Sequence, residues 1–111
     1  MGSTRVAVIG AGNMGIHHIR NYVNSPYAEL VGVVEQDAAK RKFIQNKYAV
    51  RTFANYLEIM DEVEAVSIAT PTVTHYSIAC DFLSKGKHVL LEKPISSTVQ
   101  EAEKLIGLAQ M

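Results

Sequence analysis

The sequence predicts a doubly wound α/β domain, a parallel sheet with helices on both faces. Three observations carry that prediction. Strand-like and helix-like segments alternate along the chain with short links between them. The first strand-like run is continuously apolar, as a strand buried on both faces requires. Residues suited to turns and helix ends fall at the joints. The chain of 111 residues suits one such domain, residues 1–111, with Met1-Gly2-Ser3 set aside from the fold reading.

Residues 5–9 form the first strand. Glycines follow, and residues 14–23 carry apolar positions at helical spacing. Residues 29–34 form the second strand. Asp37 caps a helix running through Tyr48, with Phe43 and Ile44 on its inner face. Residues 51–53 are a weak third strand, and Asn55 caps a short helix over 56–60. Residues 65–69 are the fourth strand, ended by Thr70-Pro71. A helix over 74–85 turns Ile78, Ala79, Phe82 and Leu83 to one side, and Gly86 stands where a left-handed cap is wanted. Residues 88–91 are the fifth strand. Ser97 or Thr98 caps the last helix, Thr98 and Glu101 having capping-box spacing, with Ala102, Leu105, Ile106 and Ala109 on its apolar side.

Parallel strands joined by right-handed crossovers give three layers and the strand order 3-2-1-4-5. Ligands in such a sheet bind at the carboxyl ends of the strands, by the switch point between strands 1 and 4. A helix after strand 5 normally leads to a sixth strand. The sequence stops at Met111 after that helix, so a fragment is expected, with strand 5 an exposed edge.

Composition narrows the function. Lys+Arg and Asp+Glu both total 11, so the formal net charge is zero and no global field attracts nucleic acid or anionic lipid. A single cysteine, Cys80, forms no internal disulfide and reads as a small apolar helix residue. No segment approaches the roughly 20 apolar residues of a membrane span, and the N-terminus is unlike a secretory signal. A cytoplasmic setting is expected.

Gly10-Ala11-Gly12-Asn13-Met14-Gly15 matches G-x-G-x-x-G, and it follows a strand and opens a helix, as the motif requires. Gly10 permits the tight turn, Gly12 lets backbone approach a pyrophosphate, and Gly15 lets helix and strand pack closely. The free amides and dipole of the helix start favour phosphate. Glu35 stands twenty residues beyond Gly15, where this fingerprint places an acid that accepts hydrogen bonds from the adenosine ribose. A carboxylate there repels a 2′-phosphate, which argues for NAD over NADP. Nearby Lys40 and Arg41 suit a phosphate and keep NADP open.

At the end of strand 4, Ala69-Thr70-Pro71-Thr72-Val73-Thr74-His75 is a hydroxyl-rich turn suited to lie along a cofactor, with His75 in the first turn of the next helix. At the end of strand 5, Glu92-Lys93-Pro94 sets an ammonium beside a carboxylate at the mouth of the cleft. Taken alone, that tripeptide reads as a surface ion pair before a proline turn; its alternative is a catalytic lysine that binds a substrate hydroxyl. His17 and His18 read as structural, because no further ligands complete a metal site with them.

The glycine loop, the Ala69-Thr70-Pro71 turn with Thr72 to His75, and Glu92-Lys93-Pro94 occur in an order and spacing that resemble the glucose–fructose oxidoreductase / inositol dehydrogenase (Gfo/Idh/MocA) family. The resemblance covers essentially the whole chain and only that family's N-terminal, Rossmann domain. It implies NAD(P)-dependent oxidation or reduction of a secondary alcohol on a sugar, sugar nucleotide or cyclitol. It implies that Lys93 lies by the nicotinamide and the reacting hydroxyl, with Glu92 near the nicotinamide ribose and Thr70, Pro71, Thr72 and His75 along the cofactor. It also reverses the surface reading of Lys93. His18 falls where the family often has a histidine, and Thr72 where an asparagine is common. Family members usually carry a second, mostly antiparallel domain that supplies a catalytic histidine and the substrate contacts and often builds a homo-oligomer.

Two other classes use part of this pattern. A non-enzymatic nucleotide-sensing module needs the glycine loop and Glu35 but no second domain. A methyltransferase also has a glycine loop and an acid after strand 2, yet gives no reason for Glu92-Lys93-Pro94.

Overall fold

At the centre of the sheet lies β1 (Thr4–Ile9), whose last four residues are buried. The computed structural model describes residues 3–111; Met1 and Gly2 lie outside the described residues. β2 (Ala28–Val34) and β3 (Thr52–Phe53) pair parallel on one side of β1, and β4 (Ala65–Ile68) and β5 (His88–Leu91) on the other. The order is β3-β2-β1-β4-β5, as the alternation of elements predicts.

Successive residues of a strand point to opposite faces, and the core divides accordingly. Val8 and Val33 pack with Ala11, Ile19, Ile44 and Val50 beneath α1 (Asn13–Val23) and α2 (Ala38–Tyr48). Ala7, Ile9, Val66 and Ile68 pack on the other face with Ile78, Ala79 and Phe82 of α3 (His75–Ser84) and Leu105 of α4 (Val99–Ala109). A 3-10 helix (Tyr56–Glu62) adds Ile59 and Met60 to that second core. The result is three layers, each helix burying one stripe. Ser67 and His75 are the buried polar residues among those described; Ser67, on β4, shares a 2.5 Å hydrogen bond with the Tyr22 hydroxyl of α1.

The helix ends follow the sequence signals. The Asp37 carboxylate accepts from the amides of Ala39 and Lys40. Asn55 and Glu58 form a reciprocal capping box. Of the two candidate caps of α4, Thr98 is the one used: its Oγ1 accepts from the Glu101 amide, while the Glu101 carboxylate accepts from the backbone amide of Ser97. Gly86 closes α3 at φ +75°.

Three side chains expected to face inward, Phe43, Ile106 and Ala109, do not. Phe43 is 56% exposed. β3 is only two residues long, and α2 at this sheet margin anchors through Ile44, leaving Phe43 to the Lys47 ammonium 5.5 Å from its ring centre. Ile106 and Ala109 are likewise exposed, because α4 packs against α3 rather than on the sheet and buries Leu105 alone.

Candidate functional site

The carboxyl ends of β1, β2 and β4 frame a cleft of about 630 Å³. The glycine loop forms its floor. Gly10 has φ +96°, and a Cβ there would meet the Ala69 carbonyl oxygen at 2.8 Å, so neither its backbone nor its surroundings admit a side chain. A Cβ on Gly15 would stand 1.9 Å from the Gly10 carbonyl oxygen, because α1 packs directly on the turn. Gly12 differs: a Cβ there would meet nothing within 4 Å. It needs no glycine for the fold and lines the cleft.

Gly12 is also the N-cap of α1, and it offers the first turn no side-chain acceptor; no acidic residue stands in that turn either. α2, α4 and the 3-10 helix at Tyr56–Glu62 carry side-chain caps; α3 has none but continues from a 3-10 turn at Thr72–Thr74, and the amides opening α1 at Asn13, Met14 and Gly15 have no side-chain acceptor. Amides left this way, at the positive end of a helix, suit an anion.

Glu35 leaves the end of β2 half-buried on the cleft wall. Its Oε1 accepts from the Ala11 amide at 3.0 Å and its Oε2 from the Asp37 amide at 2.9 Å. Both oxygens are thereby oriented, and each keeps a second lone pair for a hydroxyl donor. The two cations noted after Glu35 part company. Lys40 lines the cleft, while the Arg41 guanidinium folds back onto the carbonyls of Glu35 at 2.7 Å and Gln36 at 2.9 Å.

After β4, Thr70 and Pro71 line the cleft. The Thr74 hydroxyl donates to the Pro71 carbonyl at 2.6 Å and meets the Thr70 hydroxyl at 2.6 Å, which holds the turn. Thr72 opens a short 3-10 turn and is half-buried away from the cleft wall. His75 turns inward and is 1% exposed. Its Nε2 lies 2.9 Å from the Thr70 carbonyl oxygen and its Nδ1 2.9 Å from the Pro94 carbonyl oxygen.

The β5 end supplies Glu92, Lys93 and Pro94, with a cis Lys93–Pro94 bond. Glu92 extends the β-ladder by one bond, donating its amide to the Ile68 carbonyl. Its carboxylate meets His18 Nε2 of α1 at 2.5 Å. Lys93 is exposed and joins no ion pair among the described residues. The surface pair that the tripeptide suggests is therefore absent: Glu92 faces His18 instead.

Sequence reasoning missed three contributors. His18 reaches Glu92 from 74 residues away, a contact with no local signal. Asn55 and Tyr56, read only as a helix start, form part of the cleft wall beside Glu35. Tyr56 donates its hydroxyl to Asp81 at 2.5 Å; burial first, then the Asp81 carboxylate, push that hydroxyl up to about 12. No cluster of three metal-ligating side chains occurs among the described residues.

Residues 4–111 match the model of an oxidoreductase family with an NAD-binding Rossmann fold. The chain belongs to the Gfo/Idh/MocA family. Its relatives in this family include the UDP-N-acetylglucosamine 3-dehydrogenase of Acidithiobacillus ferrooxidans, 37% identical over 96% of this chain and 33% of that protein. The solved structure of that enzyme superposes with a TM-score of 0.90, at 36% identity, over 99% of this chain and 36% of its own. The inositol 2-dehydrogenase of Rubrobacter xylanophilus is 33% identical over 91% of this chain and 30% of its own length. GenD2 from gentamicin A biosynthesis, solved in complex with NAD, superposes with a TM-score of 0.93 at 30% identity, over 99% of this chain and 32% of its own. The Gfo/Idh/MocA domain described here thus spans about a third of the curated relatives it matches. It is an NAD-binding Rossmann domain of oxidoreductase type.

Proposed function

We propose that the chain, residues 1–111, is the cofactor-holding domain of an oxidoreductase that interconverts a secondary alcohol and a ketone on a sugar, sugar nucleotide or cyclitol. The observation that carries the reading is the Glu35 carboxylate, oriented by Ala11 and Asp37 on the wall of a cleft whose floor is the uncapped start of α1. One feature suits a ribose diol and the other a pyrophosphate, and Glu35 follows Gly15 at the sequence separation of 20 that the dinucleotide fingerprint sets.

The residues take the following parts. Gly10 and Gly15 shape the loop, Gly12 leaves room for phosphate, and the Asn13 and Met14 amides donate to it. Glu35 accepts from the adenosine ribose, which favours NAD, while Lys40 on the cleft wall leaves NADP admissible. Thr70 and Pro71 flank the dinucleotide toward the nicotinamide, Thr72 stands behind them off the cleft wall, and Glu92 lies near the second ribose. His75, fully buried, supports this wall from behind. Bound in the cleft, the dinucleotide supplies the carbon that takes or gives hydride. Lys93 hydrogen-bonds the reacting oxygen: as a neutral amine it takes the hydroxyl proton during oxidation, and as the resulting ammonium it stabilises charge on that oxygen and returns the proton in reduction.

The relatives support the substrate class, since one is named for a sugar nucleotide and another for a cyclitol. A homo-oligomer and a cytoplasmic location fit the family and the lone, partly buried Cys80. No helix among the described residues is long and apolar enough to cross a membrane. Calorimetric titration of this chain with NAD and NADP in parallel tests the cofactor reading. Preference for NAD, lost in Glu35→Ala, is expected; equal binding of both by the parent and the variant would refute it.

A further inference from the structure

We propose that His18 and His75 are positioning residues for Lys93, bracing the Glu92-Lys93-Pro94 turn on its two sides from two different helices. The inference rests on the reading of Lys93 as the group that faces the reacting hydroxyl, and it concerns how a flexible side chain is aimed.

Lys93 is exposed and has no ion-pair partner among the described residues, so its own side chain does not fix where its ammonium goes. Its placement is inherited from the backbone of residues 92–94. The sheet holds that backbone only up to the Glu92 amide, which donates to Ile68 at 3.2 Å. Beyond it the chain leaves the ladder.

The two histidines act where the ladder stops. His18 meets the Glu92 carboxylate at 2.5 Å from the second turn of α1, and both side chains are largely enclosed, at 15% and 25% exposure. His75 meets the Pro94 carbonyl at 2.9 Å through Nδ1 and the Thr70 carbonyl at 2.9 Å through Nε2. Its ring spends both nitrogens on backbone and none on the cleft. A neutral imidazole donates at one nitrogen only, so the tautomer decides which carbonyl receives the hydrogen bond, and the bracing uses the form whose Nδ1–H donates to Pro94.

The consequence is a mechanical link among three loops. α1 opens at the glycine loop, His75 begins α3 just after the Thr70-Pro71 turn, and both reach the β5 turn. Lys93 is therefore set by the same elements that frame the cleft. His75 thereby joins the Thr70 turn to the Pro94 turn, and His18, largely enclosed, joins α1 to the same β5 turn.

The test uses backbone order parameters of the 111-residue chain from 15N relaxation, with and without NAD. In the parent, the Lys93 amide is expected to be as ordered as β5, near ~0.85. The substituted side chains place their donors differently: the amide nitrogen of Asn overlays the Nδ1 side of a histidine, and that of Gln the Nε2 side. His75→Asn keeps the bond to Pro94 and should hold Lys93 in place, whereas His75→Gln loses it and should drop Lys93 below ~0.6. At position 18 the order reverses: His18→Gln keeps its reach to Glu92 and His18→Asn does not. Val89 and Leu90 should keep their values throughout, which reports an intact fold. His18 is the safer site if substitutions at buried His75 unfold the chain.

NAD titration of each variant sets the saturation at which the order parameters are compared, since His75 backs the cleft wall through Thr70 and His18 holds Glu92. Equal order at Lys93 in the Asn and Gln variants of either site would overturn the bracing. An absence of NAD binding in the parent would instead overturn the cofactor reading, with the order parameters still deciding the bracing.

Discussion

Glu35, at the carboxyl end of β2, accepts a hydrogen bond from the Ala11 amide in the glycine loop at 3.0 Å, 24 residues back in the chain. The acid is thus part of the loop's own structure as well as of the cleft wall. A hydrogen bond to a charged group contributes about 1.5–3 kcal/mol, or roughly 10- to 100-fold in affinity. Glu35→Ala should weaken NAD binding by that factor and narrow the preference over NADP. Calorimetry with both dinucleotides checks it. Glu35→Gln separates charge from reach: it keeps an acceptor for Ala11 and should recover stability but only part of the discrimination.

Neighbouring glycines should respond in opposite ways to the same added methyl group. Gly15→Ala drives a Cβ to 1.9 Å from the Gly10 carbonyl oxygen and should cost about 3 kcal/mol or more of stability. Gly12→Ala meets nothing within 4 Å and should unfold within about 0.5 kcal/mol of the parent while losing at least ~10-fold in NAD affinity. Urea unfolding and calorimetry on both variants decide it. Equal losses of stability would count against the packing described here.

The alkaline limb of stability should carry the mark of Tyr56. Its hydroxyl is pushed up to about 12, by burial and then by Asp81, against about 10 in an unfolded chain. A raised folded value means that the folded state holds the proton longer. The stabilisation is full below pH ~10 and is lost as pH rises toward ~12. Tyr56→Phe should flatten the fall in stability over that interval and remove a late step from the phenolate absorbance titration. Superimposable curves for parent and variant would contradict the assignment.

Phe82 is the largest fully buried side chain and packs against Tyr56 at a ring separation of 5.7 Å. Phe82→Ala should cost about 3–5 kcal/mol, a large share of the margin of a domain this size. Because Tyr56 lines the cleft, the same variant should weaken dinucleotide binding even under conditions where it remains folded. Thermal melts in the presence and absence of NAD distinguish the two effects.

The sequence made the scaffold legible because the scaffold's signals are local. Asp37, Asn55 and Thr98 cap the helices that their positions imply, and Gly86 takes the left-handed turn expected of it. Apolar runs bounded by those residues leave one sensible strand order. The site was legible where it depends on short motifs, as with Gly10, Gly12, Glu35, Thr70 and Pro71 on the cleft wall. It was opaque where side chains from distant segments choose among partners. Nothing local says that Glu92 turns to His18 rather than to Lys93, or that His75 faces two carbonyls rather than the cleft. Lys40 and Arg41 are adjacent in sequence, yet helical rotation sends one to the cleft and the other to the turn behind it. Phe43 shows the same limit on the core side: periodicity locates a stripe, but a two-residue β3 leaves little sheet for that stripe to cover.

The difference between Gly12 and its neighbours also bears on how such a motif decays. A lineage that abandoned its ligand would remain under steric compulsion at Gly10 and Gly15, where any side chain collides with backbone. At Gly12 the compulsion would lapse, since the fold itself asks for nothing there. Two of the three letters of the fingerprint therefore testify to architecture, and the middle one alone testifies to use.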